Sequence, residues 1–181
     1  MKKQRVRIIG GTWRSRLIHF PDIEGLRPTP DRVRETLFNW LGQDLSGQCC
    51  LDLYAGSGVL GFEAASRGAK SVVMVERDPL IYSALKASQT QLLASQVSIC
   101  RQEAFDFLRS DRFVYDGVLL DPPFTQNPWP ELFAALETKV SPQGWVYCES
   151  AMALQCPMNW KPYRQARAGQ VNYQLLKRIH P

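Results

Sequence analysis

The sequence predicts an α/β protein: a mostly parallel sheet with helices on its faces, a C-terminal antiparallel hairpin at one edge, and a small N-terminal hairpin-plus-helix extension. Three observations predict it. From Cys49 onward, short apolar runs alternate with stretches of helical periodicity, the rhythm of successive strand–helix–strand units. A glycine-rich turn, Gly56-Ser57-Gly58-Val59-Leu60-Gly61, falls where the first of those strands gives way to a helix. The last two runs are separated only by Ala168-Gly169, a joint short enough for a hairpin.

The N-terminal extension begins with Arg5-Val6-Arg7-Ile8-Ile9, then Gly10-Gly11, then Thr12 to Phe20. Charged and apolar residues alternate, and the glycine pair suits a tight reversal. Leu26-Arg27-Pro28-Thr29-Pro30 reads as an extended connector, because a residue before proline is pushed out of the helical region. Thr29 then serves as N-cap, with Pro30 in the first turn of a helix that ends near Gly42. Val33, Leu37, Trp40 and Leu41 mark its apolar face. Strands are expected at Cys50–Leu53, Ser71–Val75, Val97–Cys100, Gly117–Leu120 and Trp145–Glu149. Helices are expected at Gly58–Arg67, Pro79–Leu93, Ala104–Leu108 and near Trp129–Leu136, and the closing pair at Tyr163–Arg167 and Val171–Ile179.

With 181 residues, 45% hydrophobic and 22% charged, the chain has the composition of one globular unit with a single substantial core. No stretch approaches the roughly 20 apolar residues of a membrane span, and the basic start has no apolar segment behind it. Five cysteines without a Cys-x-x-Cys pair, and only His19 and His180, argue against a disulfide framework and against a metal centre. A cytoplasmic location is expected. The net charge is +5, yet residues 1–34 hold nine bases against three acids. The remaining 13 bases and 14 acids leave −1, which places the excess positive charge at the N-terminus. Such an asymmetry points to a polyanionic partner.

The glycine turn fits G-x-G-x-x-G, and Glu76 ends the next strand about 20 residues on, where an acid can hold ribose hydroxyls. A nicotinamide dinucleotide therefore competes as ligand. Against it stands Asp52, just before the loop, which would repel a pyrophosphate but attract the cationic amino group of S-adenosylmethionine. The chain also lacks a second domain for a hydride acceptor. Finally, Asp121-Pro122-Pro123-Phe124 follows the apolar Gly117-Val118-Leu119-Leu120 at a strand end. Its carboxylate can accept from an amino N–H, its prolines stiffen the loop and offer carbonyls, and its ring can stack on a base.

Leu51-Asp52-Leu53-Tyr54-Ala55-Gly56-Ser57-Gly58 together with Asp121-Pro122-Pro123-Phe124 resembles the Rossmann-like class I methyltransferases that act on exocyclic amines. The N-terminal Arg7-Ile8-Ile9-Gly10-Gly11-Thr12-Trp13-Arg14 and Arg27-Pro28-Thr29-Pro30-Asp31-Arg32-Val33-Arg34-Glu35-Thr36-Leu37-Phe38-Asn39 narrow this. With Ala168-Gly169-Gln170-Val171-Asn172-Tyr173, they look like the bacterial 16S ribosomal RNA guanine-N2 methyltransferase family over nearly the whole chain. Tyr54, where that family commonly has phenylalanine, is a mild departure. The resemblance implies S-adenosyl-L-methionine as cofactor, no metal, and 16S rRNA in the small ribosomal subunit (30S or its precursor) as partner of a monomer. It implies residues 1–42 as an RNA-binding extension and 43–181 as the methyltransferase domain.

Under that reading the donor site comprises Asp52, Tyr54, Ala55, Gly56, Ser57, Gly58, Glu76, Arg77, Glu103, Ala104 and Asp121, with Gln102 an alternative to Glu103 beside the adenine. Catalysis falls to Asp121, Pro122, Pro123 and Phe124. Asp121 and the Pro122 carbonyl accept the two N–H bonds of the guanine amine, and Phe124 stacks on the base. An exposed Asp121 would titrate near 3.9 and be ionised at neutral pH. Arg5, Arg7, Trp13, Arg14, Arg16, Arg27, Thr29, Arg32 and Arg34 are the candidates for RNA contact. For Trp13 the alternative, covering the core, is the preferred one, and ion pairing with Glu35 is the alternative for Arg32 and Arg34. The rivals are amino methylation of DNA bases or of protein glutamine, and a non-catalytic RNA-binding assembly factor.

Overall fold

The computed structural model describes residues 3–123 and 127–179. A two-stranded antiparallel ribbon, β1 (Lys3–Arg7) and β2 (Leu17–Pro21), precedes helix α1 (Asp31–Trp40). Then β3 (Cys49–Asp52), α2 (Val59–Ser66), β4 (Ser71–Glu76), α3 (Pro79–Leu92), β5 (Val97–Arg101), α4 (Ala104–Ser110), β6 (Tyr115–Leu120) and α5 (Trp129–Leu136) alternate. The chain closes with β7 (Val140–Ser150), β8 (Trp160–Ala168) and β9 (Val171–Arg178). The main sheet has seven strands in the order β5-β4-β3-β6-β7-β9-β8. The five from β5 to β7 are parallel, and β9 runs antiparallel to both β7 and β8.

This order reverses beside β3. The chain moves outward through β4 and β5, then returns to lay β6 on β3's other side. Ligands of open α/β sheets bind at the carboxyl ends of the strands at such a switch point. The loops after β3 and β6, which carry the glycine turn and the Asp-Pro-Pro run, meet there.

The apolar strands are buried on both faces because helices cover both. One core cluster joins α1, α2, α3 and the N-terminal ribbon to the sheet, through Leu37, Phe38, Phe62, Met74 and Leu85. The other lies beneath α4 and α5 and contains Phe107, Leu132, Phe133 and Trp160. The first cluster includes Val6, Ile8, Ile18 and Phe20, so the extension shares its core with the sheet.

Strands and helices lie within a few residues of their expected positions, with β7 starting earlier, at Val140. Two local expectations are corrected. The N-terminal reversal is a wide loop, in which the Ile8 amide donates to Arg16 O (2.9 Å) and the Ser15 amide to Ile8 O (2.8 Å). The glycine pair serves another purpose: a Cβ on Gly11 would lie 1.8 Å from Ser66 O, so glycine lets this loop press against the end of α2. Thr29 does not cap α1 either. The N-cap position is Pro30, and the Thr29 side chain is turned away into the sheet.

Candidate active site at the sheet switch point

Acids end two of the four strands around the switch point, a third stands one residue before the end of β7, and a fourth follows β6 directly. Asp52 closes β3 and is 2% exposed. Its carboxylate accepts from the Gly61 amide (2.9 Å), which clamps it to the first turns of α2. Burial pushes its pKa up to about 7, and the charge of Glu76 adds to that shift, while the Gly61 and Tyr54 amides oppose it. Glu76 ends β4 and is half-buried. One of its oxygens accepts from the Gly56 amide (3.0 Å), the other from the Asp78 amide (2.8 Å).

These bonds decide between the two cofactor classes. In a dinucleotide site the free amides of the glycine loop and helix start receive the pyrophosphate. Here the Gly56 and Gly61 amides already bind carboxylates, and two acids face the place where phosphates would lie. A donor with a cationic amino group and a ribose diol matches this set. Gly56, at φ +50°, is open towards the solvent side except for Leu26 of the connector, 3.2 Å from where a Cβ would stand. Gly58 has a packing duty, since a Cβ there would meet Leu85 at 2.4 Å.

The remaining donor-site candidates flank this pair. The Ala55 amide donates to Val75 O (3.0 Å), which ties the turn to β4, and Ser57 is buried beneath it. Tyr54 is half-buried against the second core cluster. Arg77 and Glu103 are exposed and form an ion pair at 3.4 Å, and Ala104 is the buried first residue of α4. The Gln102 amide reaches Glu76 O at 3.1 Å, so the loops after β4 and β5 lie together.

After β6, Asp121 is half-buried, Pro122 buried and Pro123 exposed. Phe124 lies outside the described residues. The expectation of an ordinary, exposed Asp121 is corrected: burial raises its pKa well above the usual carboxylate range, and the charges of Glu149 and Asp52 raise it further. Glu149, which sequence reasoning did not single out, is 4% exposed near the end of β7. One of its oxygens accepts from the Thr29 hydroxyl (2.9 Å) and the Tyr147 hydroxyl (3.0 Å). Its signal was available: an acid closing an apolar strand, as Asp52 and Glu76 do. Beside this corner opens a groove of about 920 Å³ whose walls include Pro122, Pro123, Trp129, Phe133 and Trp160.

The RNA candidates divide. Arg5, Arg14, Arg16, Arg27 and Arg32 are exposed, although Arg16 also donates to Gln91 O (2.9 Å). Arg7 is exposed and pairs with Asp31 at 3.4 Å. Trp13, Thr29 and Arg34 are buried, at 9%, 6% and 0% exposure, and are corrected to interior positions. Arg34 does not pair with Glu35; it bridges Glu63 and Asp31 and donates to the Thr29 and Arg7 carbonyls, both at 3.0 Å. Glu63 also binds Arg67, whose guanidinium lies 4.0 Å above the Phe38 ring. Among the described residues no group of acids, histidines and cysteines could hold a metal, and no helix is long and apolar enough to cross a membrane.

Residues 6–177 match the family model described as conserved hypothetical protein 95. The ribosomal RNA small subunit methyltransferase D of Escherichia coli K12 is 39% identical over 96% of this chain and 90% of its own length. Its Haemophilus influenzae counterpart is 40% identical over 96% and 94%. The solved structure of the Escherichia coli protein yhhF superposes with a TM-score of 0.87 at 39% identity, covering 97% of this chain and 98% of that one. An acid-lined switch point, an Asp-Pro-Pro corner beside it and likeness along nearly the full length agree: the chain belongs to the conserved hypothetical protein 95 family, among the ribosomal RNA small subunit methyltransferase D proteins.

Proposed function

We propose that the protein transfers a methyl group from S-adenosyl-L-methionine to the exocyclic N2 amine of a guanine in 16S ribosomal RNA, within the small subunit or its precursor. One observation carries this reading: the amides a phosphate would need are taken by carboxylates, and Asp52 lies close enough to Asp121 for its charge to act on that carboxyl.

S-adenosylmethionine supplies an electrophilic methyl sulfonium when bound. Asp52 suits its ammonium group and Glu76 its ribose, because each carboxylate is already fixed by backbone amides and needs little further ordering. The guanine amine is a poor nucleophile, its lone pair being delocalised into the ring. Asp121 and the Pro122 carbonyl accept its two N–H bonds and hold it so that the lone pair turns out of conjugation. A carboxylate with a raised pKa is also a better proton acceptor than an exposed one. Asp121 in its ionised form orients the amine, and the proton shed goes to this carboxylate or through it to water. Glu149 holds this edge in place through Thr29 and Tyr147.

Residues 1–42 act as the RNA-binding extension and 43–181 as the catalytic domain, with Arg5, Arg14, Arg27 and Arg32 meeting phosphates. A target base stacked in RNA must be unstacked to reach the corner, at a few kcal/mol, which phosphate contacts offset. Asp121→Ala is expected to abolish methyl transfer while donor affinity, read by calorimetry, stays within a few-fold of wild type. Turnover at the wild-type rate would remove Asp121 from the chemistry.

A further inference from the structure

Positive charge is not confined to the N-terminus. Residues 151–181 hold Lys161, Arg164, Arg167, Lys177 and Arg178 and not one acid, while the intervening residues 35–150 carry eight bases and fourteen acids. Pooling everything after residue 34 conceals this second basic segment. It folds as the β8–β9 hairpin at the sheet edge.

Three of the hairpin's cations, Lys161, Arg164 and Lys177, are gathered at one place, away from any acid. Lys161 of β8 stands directly opposite Lys177 of β9. Like charges in that position repel. The register then slips at Tyr163, between Pro162 and Arg164, and this bulge presents the tyrosine ring to both neighbouring cations. The Arg164 guanidinium lies 4.5 Å from the ring centroid and the Lys177 ammonium 4.2 Å from it. Among the described residues none of these five bases makes an ion pair, unlike Arg7 and Arg34 of the extension.

Protection of an open edge strand explains charge on β8. It does not explain Lys177, since β9 is an interior strand with β7 on its other side. Along β9, Lys177 shares a face with Leu175 and Tyr173, which belong to the core cluster that also holds α1 and the N-terminal ribbon. Trp40 of α1 stacks on Tyr173 at 5.4 Å. The hairpin cations thus continue the face on which the extension sits. Asn172 pairs with Ser150 of β7 and with Arg167 of β8, so one end of the hairpin lies level with the catalytic corner. From Arg167 to Lys161 the strand runs roughly 20 Å, at about 3.3 Å per residue.

We infer that this hairpin is a second docking surface for the substrate RNA, in which Lys161, Arg164 and Lys177, gathered around Tyr163, meet the phosphate backbone of a strand leading away from the target base. The inference rests on the RNA reading of the active site. It gives a reason for held-together like charges: their mutual repulsion is relieved when a polyanion binds, and the ring keeps two of them ordered beforehand.

The test compares wild type with the triple variant K161Q/R164Q/K177Q and with a control, K70Q/R101Q/R112Q, that removes the same charge from exposed sites elsewhere. Binding to 16S rRNA in 30S particles is followed against salt, alongside labelled methyl transfer. The hairpin triple should flatten the log–log salt slope by roughly 2–3 and raise KM for the particle at least about 10-fold, with kcat at saturating RNA unchanged. The control should leave slope and KM as in wild type. A hairpin triple indistinguishable from wild type, or a control with the same loss, overturns the inference and leaves the proposed reaction standing. If wild type itself transfers no methyl to the RNA, the reading beneath the inference has failed and the inference goes with it.

Discussion

The N-terminal extension and the C-terminal hairpin have nearly equal net charge, +6 over residues 1–34 and +5 over residues 151–181, but only the extension ties part of it to acids. In the extension, Arg34 is fully buried and, with Glu63, Asp31 and Arg67, fastens ribbon, connector and α1 to α2. In the hairpin the charge is exposed or half-exposed and its nearest companions are like charges and one aromatic ring. The difference teaches that positive charge along a sequence mixes two populations. Cations that meet acids build the fold, and cations kept apart from acids are left for a partner.

The comparison breaks most readily at Glu63. Glu63→Ala leaves two buried guanidinium groups short of a partner and should cost about 3–5 kcal/mol. The hairpin triple, by contrast, should change unfolding free energy by less than about 0.5 kcal/mol. Chemical denaturation of both variants checks this, and comparable losses would erase the distinction. A third place where charge is handled differently is Asp52, buried without a cationic partner in the donor-free protein. Its folded pKa of about 7 lies above the unfolded value, so the folded state keeps a proton that the unfolded state has lost. Stability of the donor-free protein should therefore fall as pH rises from about 4 to 7, by at most about 4 kcal/mol. Asp52→Asn should lessen that slope, the remainder coming from Asp121 and Glu149, whose carboxyls are also raised by burial, and an unaltered slope would assign it to those two alone.

Smaller effects sharpen the picture within the extension. Thr29→Ala deletes one of two hydroxyls on buried Glu149 and should cost about 1–3 kcal/mol, a loss read by thermal unfolding. Were Thr29 an RNA contact instead, stability would hold and only RNA affinity would drop. Smallest of all in stability is R5Q/R14Q/R32Q, expected within about 0.5 kcal/mol of wild type. Its signature is a salt slope flatter by about 0.7–0.9 for each lost phosphate contact. An unchanged slope would confine RNA docking to the hairpin.

Much of this was legible in the residues. Alternating apolar runs announced the parallel sheet because burial on both faces demands such runs, and the acids at Asp52 and Glu76 stood out by closing them. What escaped the sequence depended on contacts far apart in the chain. Thr29 has the chemistry of a cap, but a buried acid 120 residues later takes its hydroxyl. Arg34 looks like its neighbour Arg32, yet Glu63 on another helix decides that one is interior and the other exposed. Asp121 read as an ordinary carboxylate because Glu149, which helps raise its pKa, enters from β7. Glu76 was placed at its strand end by the motif spacing, while its acceptance from the Gly56 amide, a contact across 20 residues, was not foreseen.

Labelled-methyl transfer into 30S particles and free 16S rRNA, followed by digestion to nucleosides, tests the central claim most directly. The label should appear as N2-methylguanosine with the wild-type protein and vanish with Asp121→Ala. Label on adenine, cytosine or protein, or no label while the donor binds, would contradict it.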